Sequence, residues 1–352
     1  MASIIRMGFI GGGHALQEIH LPLFSQMQDV LPLVLCDVRE MALQNALRKF
    51  GVRETTAHWE DVLAMRELDA VVIALPNDLH AQVAERALRA GKHVLCETPS
   101  ALHPTEAESV CRAARESGCL YTLALPHRFD PEMAALRRLL DAGRVGRLQH
   151  VRTGMVRRHA RPDGWRVDPA RSGGGAFLHL GTHLLDLIVL LMRGMPARVS
   201  AVTSTRDGVS AAAAEARVED AATVLLRFGD GRSALIETAW VRDVEDDRQY
   251  FEVFGDRGGA SAWPLRLVGE VDGLPSVVAP RCTPALPYQG LTRHFVEQIH
   301  RLQRGERLAD MMAGAIDGLR LAVLTRHIYQ SAEAGREIEI AVVPAAMNPR
   351  GA

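Results

Sequence analysis

Three consecutive glycines, Gly11, Gly12 and Gly13, stand between an apolar run at residues 4–10 that reads as a strand and an amphipathic stretch at 15–28 that reads as a helix. No other feature constrains the fold as much. Glycine lets the chain turn within a few residues and brings backbone N–H groups to a helix N-terminus, where a pyrophosphate is favourably held. The next strand, at 31–36, is followed by Asp37. A carboxylate there accepts hydrogen bonds from an adenosine ribose and repels a 2′-phosphate. The third glycine of the usual Gly-x-Gly-x-x-Gly word is Leu16, a departure from the pattern. Gly11, Gly12, Gly13, His14, Asp37 and Arg39 are thus candidate dinucleotide-binding residues. NAD is preferred, and Arg39 keeps NADP open because it can meet a phosphate.

Further strand readings at 70–74, 93–96 and 120–124 alternate with helix readings at 40–50, 79–90 and 105–116. Such alternation predicts a parallel sheet with right-handed crossovers. Residues 131–142 read as a helix leading away from it. Beyond about residue 147 the texture changes: 149–158, 198–205, 221–228, 233–240 and 250–255 read as longer strands joined by glycine-rich and acidic turns. Short connections suit a mostly antiparallel sheet. A helix over 175–192 interrupts these strands, and two more, at 291–303 and 311–334, close the chain. The alanine-rich stretch 210–219 reads as a hairpin connection. The expected fold is α/β: a Rossmann domain with a parallel sheet (1–125), an α+β domain with an open, mostly antiparallel sheet (126–335) and a tail (336–352).

Several segments, in this order, resemble those of the glucose–fructose oxidoreductase / inositol dehydrogenase / MocA family. Leu75-Pro76-Asn77 with His80 is similar to its Thr-Pro-Asn…His segment, Glu97-Thr98-Pro99 to its Glu-Lys-Pro, and His127-Arg128-Phe129-Asp130-Pro131 to its Arg-Arg-Phe-Asp-Pro. Gly164-Trp165-Arg166 precedes Gly173-Gly174-Gly175, and His179, His183 and Asp186 follow, as in the family's Gly-Gly-Gly…Asp…Gly…His…Asp segment. The similarity runs from about residue 4 to residue 335. It implies a nicotinamide-dependent oxidoreductase acting on a sugar, cyclitol or related polyol. Leu75, Pro76, Asn77, His80, Glu97 and Arg166 would line the cofactor, and Arg128, Trp165, His179 and His183 the substrate. Because the family's sheet commonly forms a subunit contact, a homodimer or homotetramer is expected.

Two family positions are altered. The usual lysine is Thr98, and the usual first aspartate is His179. Only Lys49 and Lys92 are lysines, one at the end of a predicted surface helix and the other in a turn. The resemblance gives His183 the hydroxyl proton, a role suited to an imidazole with an ordinary pKa of roughly 6.5. Thr98 can hydrogen-bond a substrate oxygen but carries no charge. Three readings stay open: His183 works alone, His179 partly replaces the lysine–aspartate pair, or the chain does not catalyse the standard reaction. An NAD-retaining enzyme that cleaves glycosides by oxidation and elimination is one alternative, and a catalytically impaired nucleotide-binding sensor or assembly protein is another. His179 and His183, at i and i+4, also have a spacing that suits zinc. A catalytic zinc needs a third ligand, and Asp186 lies a further turn along the same stripe, but no His-Glu-x-x-His word accompanies the pair and no metal is assigned.

Bulk properties exclude other classes. With 352 residues and a net charge of −1, the chain has two-domain length and no electrostatic draw for nucleic acid. The apolar run at 184–192 is too short for a bilayer span and reads as a buried helix. Five scattered cysteines without a Cys-x-x-Cys pair suggest neither a disulfide framework nor a zinc knuckle. Without a cleavable-signal layout at the start, cytoplasmic residence is expected. Arg157, Arg158 and Arg161 read as a solvated edge, Trp240 as core packing, and Cys96 as a small hydrophobe.

Overall fold

The computed structural model describes residues 3–158, 160, 162–205, 218–271, 273–306 and 313–340. Arg161, residues 210–217 of the expected hairpin connection and 341–352 of the expected tail lie outside this set. The chain divides into two compact units. One takes residues up to Pro126 together with Leu286–Ala322, and the other takes His127–Ala285 and the residues following from Val323.

The first unit is built on six parallel strands: β1 (Ile5–Ile10), β2 (Val30–Cys36), β3 (Glu54–Thr56), β4 (Ala70–Ile73), β5 (His93–Cys96) and β6 (Tyr121–Leu123). They lie in the order β3-β2-β1-β4-β5-β6. β4 is buried along its whole length and β1 at all but Arg6, as a sheet covered on both faces requires. Helices Glu40–Phe50, Asn77–Arg89 and Pro104–Ser117 supply the crossovers. The strand order reverses between β1 and β4, which makes the carboxyl edge there the binding crevice of a doubly wound sheet. The helix Pro287–Gln303 packs in this unit, where His300 Nε2 lies 2.8 Å from Asp29 Oδ2. The strand β3 and the helix Trp59–Ala64 were not read from the sequence; they are only three and six residues long.

The second unit carries nine strands: β7 (Leu148–Val156), β8 (Arg198–Ser204), β9 (Ala221–Arg227), β10 (Ser233–Ala239), β11 (Arg248–Gly255), β12 (Gly259–Ala262), β13 (Arg266–Val271), β14 (Leu274–Val278) and β15 (Ile338–Glu339). Their order is β14-β13-β12-β11-β7-β10-β9-β8-β15. Only β7 and β10 pair in parallel; the other pairs are antiparallel. β9 and β10 alternate buried residues with exposed or half-buried ones, and the apolar helix Thr182–Met192 packs against β7 and β10. The span Pro169–Met192 is long and apolar enough to cross a membrane, and 78% of its apolar window is buried inside the fold.

The helix expected over 175–192 does not begin as a regular α-helix. It opens with a wider π turn, Phe177–Gly181, before Thr182–Met192. The Phe177 ring lies where a side chain at Gly181 would be, 2.5 Å from such a Cβ. A second π turn, Leu16–His20, follows the glycine loop. There the fully buried Leu16 occupies the position where the usual third glycine permits close helix–sheet packing.

Candidate functional site

In the first unit the glycine loop leaves β1 at the sheet's carboxyl edge. Gly11 has φ +100°, and a Cβ on it would lie 2.4 Å from the Ala74 carbonyl oxygen. No other residue fits there without strain. Gly13 has open space around its Cβ position, which leaves the backbone accessible. Asp37, buried at the end of β2, accepts the Gly12 N–H at 2.6 Å through Oδ2. Its Oδ1 accepts the Arg39 N–H at 2.8 Å and Arg39 Nε at 2.9 Å. Burial pushes this carboxyl up, but the Arg39 and Gly12 donors outweigh it and hold the pKa below the ordinary aspartate value. Arg39 also reaches the Gly12 carbonyl at 2.9 Å. His14 is exposed beside the loop.

Two neighbouring loops complete that edge. His80, from the helix Asn77–Arg89, places Nε2 2.8 Å from the Leu75 carbonyl and Nδ1 2.8 Å from the Pro99 carbonyl. It therefore ties together the loops after β4 and β5. Burial lowers its pKa, partly offset by these carbonyls, and a neutral ring can donate to only one of them at a time. Pro76 and Asn77 are half-buried at the start of the same helix. Glu97 Oε1 lies 2.7 Å from Nε2 of the fully buried His20 and accepts the Tyr288 hydroxyl at 3.4 Å. Thr98 is half-buried beside Glu97. Neither lysine takes its place: Lys92 Nζ donates to the Met65 and Leu68 carbonyls, each at 2.7 Å, and Lys49 is exposed on its helix.

The second unit assembles the histidines. Glu219, just before β9, folds its buried carboxylate over the start of the histidine-bearing segment. Oε2 accepts the Gly175 N–H at 2.8 Å; Oε1 accepts the Phe177 N–H and the Tyr329 hydroxyl, each at 2.9 Å. Burial pushes the Glu219 carboxyl up despite these three donors. The enclosure explains two of the three glycines: a Cβ on Gly175 would sit 1.8 Å from the Glu219 carbonyl oxygen, and one on Gly174 2.1 Å from the Tyr329 hydroxyl. From this anchored start, His179 is exposed on the π turn and His183 half-buried one turn on. Asp186, buried, turns inward and receives Arg128 through two hydrogen bonds, Nε to Oδ2 at 2.8 Å and Nη2 to Oδ1.

Arg128, expected to line the substrate, is buried and turns its guanidinium to Asp186. The preceding residue, His127, is half-buried in the same cluster. Its ring meets His183 edge-on, centroids 5.6 Å apart, and Trp263 at 5.1 Å. Desolvation, with a smaller contribution from the Arg157 charge, pushes the His127 pKa down to about 4. Trp263 is itself a non-glycine residue at φ +62°, pinned by its N–H to Glu132 Oε2 at 2.8 Å. His127 lies in the family-like segment at 127–131 but was not read as a site residue there, and Glu219 and Trp263 carry no motif that marks them in sequence.

Trp240 is core, as expected, but its indole N–H donates to His179 Nδ1 at 3.0 Å. Trp165 and Arg166, both half-buried, stack on each other at 5.0 Å. Arg157 pairs with Asp247, and the Arg158 N–H donates to the same carboxylate. Cys96 is fully buried and its thiol pKa is pushed up by desolvation, which makes it inert packing. Among the described residues no cluster of three or more His, Cys, Asp or Glu is arranged to hold a metal.

Comparison with known proteins places this geometry. A model described as an oxidoreductase family with an NAD-binding Rossmann fold matches residues 5–125, and one for the GFO/IDH/MocA C-terminal domain matches residues 133–261. The chain belongs to the glucose–fructose oxidoreductase / inositol dehydrogenase / MocA family, and NAD is its cofactor. Its relatives include the D-glucoside 3-dehydrogenase of Escherichia coli (strain K12), 26% identical over 355 residues, with 96% of this chain and 98% of that protein covered. Another is the inositol 2-dehydrogenase of Rhizobium meliloti (strain 1021), 27% identical, with 75% and 77% covered. Among solved structures, levoglucosan dehydrogenase in complex with NADH and levoglucosan shares the fold at a TM-score of 0.84 and 22% identity. That match covers 97% of this chain and 100% of that one.

Proposed function

We propose that the chain transfers hydride between NAD and a carbon bearing a hydroxyl or keto oxygen on a sugar, cyclitol or related polyol. The observation that carries this reading is Asp37 closed against Gly12 in a chain that keeps His183 at the family's proton-transferring position. The residues present fit the cofactor. Gly13 leaves the backbone open to a pyrophosphate, and a ribose hydroxyl would reach the Asp37 carboxylate by displacing the exposed Arg39 guanidinium from it. Bound NAD supplies the two-electron acceptor.

His183 takes the hydroxyl proton as the carbon–oxygen double bond forms and returns it in the reverse direction. A positioned base of this kind contributes on the order of 10²–10⁴-fold. His127, neutral because of its lowered pKa, places no positive charge beside His183. Thr98 hydrogen-bonds a substrate or ribose oxygen, Trp165 offers an apolar face to a sugar ring, and Arg166 adds a cation beside it.

We read the working form as a cytoplasmic homodimer or homotetramer. Val202, Phe254, Val268 and Val277, exposed on the strands of the large sheet, support self-association. The test of function is a nicotinamide absorbance screen with purified protein, NAD or NADP, and a panel of polyols, glycosides and anhydrosugars. NADH accumulation with at least one of them, faster with NAD than with NADP, is the expected result. Glycoside cleavage without net NADH would assign oxidation–elimination instead. No turnover of any of them would overturn the reading.

A further inference from the structure

His179 and Trp240 form a pair whose chemistry has only one solution. An indole nitrogen carries one hydrogen and accepts nothing. With Trp240 Nε1 3.0 Å from His179 Nδ1, that imidazole nitrogen must be the unprotonated one. A neutral ring then carries its proton on Nε2. Neither partner is free to rearrange. Trp240 is 3% exposed, its N–H bonds the Asp220 carbonyl at 2.8 Å, and its carbonyl accepts the Ala160 N–H at 2.9 Å. Asp220 adjoins Glu219, whose carboxylate fixes Gly175 and Phe177, and the His179 N–H bonds the Gly175 carbonyl at 3.0 Å. The indole and the imidazole are therefore held by the same short stretch of chain.

We propose that Trp240 is a positioning residue that locks His179 in its Nε2–H tautomer, so that His179 serves the reaction as a hydrogen-bond donor to a substrate oxygen while His183 accepts the proton. The donor steadies the oxygen on which negative charge gathers as the O–H bond breaks, until hydride leaves the attached carbon and the carbon–oxygen double bond forms. This assigns opposite roles to two imidazoles one turn apart: one gives a hydrogen bond, the other takes a proton. It also supplies a donor in a chain whose Thr98 brings no cation. The inference rests on the polyol oxidoreductase reading for its catalytic half only, because the tautomer is a property of the protein without substrate.

The tautomer is read from long-range proton–nitrogen correlations of ¹⁵N-labelled protein, with His179 assigned by the signals lost in His179→Asn. The expected pattern is a pyridine-like Nδ1 and a pyrrole-like Nε2 in the wild type, becoming a mixture in Trp240→Phe. A protonated Nδ1 in the wild type, or no change in Trp240→Phe, overturns the lock. The catalytic half compares two isosteric variants on any substrate that is turned over. His179→Asn keeps both an acceptor for the indole and an N–H donor, and should stay within about tenfold of wild type. His179→Asp keeps the acceptor but loses the donor, and kcat should fall on the order of 10²-fold with KM little changed, the scale of losing one donor to a developing oxyanion. His179→Asp as active as His179→Asn, or more active, overturns the donor role.

Discussion

His127 gives the sharpest quantitative prediction. The folded chain keeps this imidazole neutral down to about pH 4, whereas an unfolded chain takes up the proton near the ordinary value of 6.5. Desolvation against His183 and Trp263 is the main cause, and the Arg157 charge adds to it. Between those values the unfolded state binds more protons, so stability falls as pH drops through the window and is fully present above it. At about 1.4 kcal/mol per pH unit, the whole excursion amounts to about 3 kcal/mol. Urea unfolding of wild type and His127→Phe at about pH 7 and about pH 4 isolates this effect, because every other titrating group acts equally in both proteins. Wild type should lose about 3 kcal/mol more than the variant on acidification. Equal losses would refute the reasoning, and with it the claim that His183 has an uncharged neighbour at neutral pH.

Other consequences are open to direct measurement. Glu219→Gln replaces one acceptor oxygen with an NH₂ group facing a buried donor, which should cost about 1–3 kcal/mol in thermal unfolding and reduce turnover by loosening the segment that carries His179. Gly11→Ala combines an unfavourable φ with a backbone clash, so calorimetric NAD affinity should fall at least ~10-fold. Arg128→Met or Asp186→Leu alone leaves a buried charge and should cost about 3–5 kcal/mol by chemical denaturation; the double variant should recover most of that loss.

The first sheet was readable because its strands are unbroken apolar runs and its helices amphipathic, so each segment's local pattern agrees with its place in the fold. β5 and the helix Glu40–Phe50 have the same bounds in sequence and structure. Reading failed where the pattern is too short or too mixed. β3 has three residues, and β14, Leu-Pro-Ser-Val-Val, shows no alternation because its side chains are largely exposed. The candidate site was legible only as far as local words reach. Gly11, Asp37, His179 and His183 belong to recognisable segments. The contacts that set their chemistry were not legible, because they join distant segments: Glu219 onto Gly175 across 44 residues, Trp240 onto His179 across 61, Arg128 onto Asp186 across 58. Glu219 lay at the end of a stretch that composition made look like a plain connection. Asp186 shares a helix face with the two histidines in sequence, and its expected structural role takes the form of a buried pair with Arg128.

The central claim is that His183 receives the substrate's proton in an NAD-linked oxidation. Steady-state kinetics of His183→Ala beside wild type, on the best polyol from the absorbance screen and with NAD affinity measured in parallel, tests it most directly. The account predicts a kcat reduced on the order of 10²–10⁴-fold with NAD still bound as tightly. A variant that turns over as fast as wild type would contradict it.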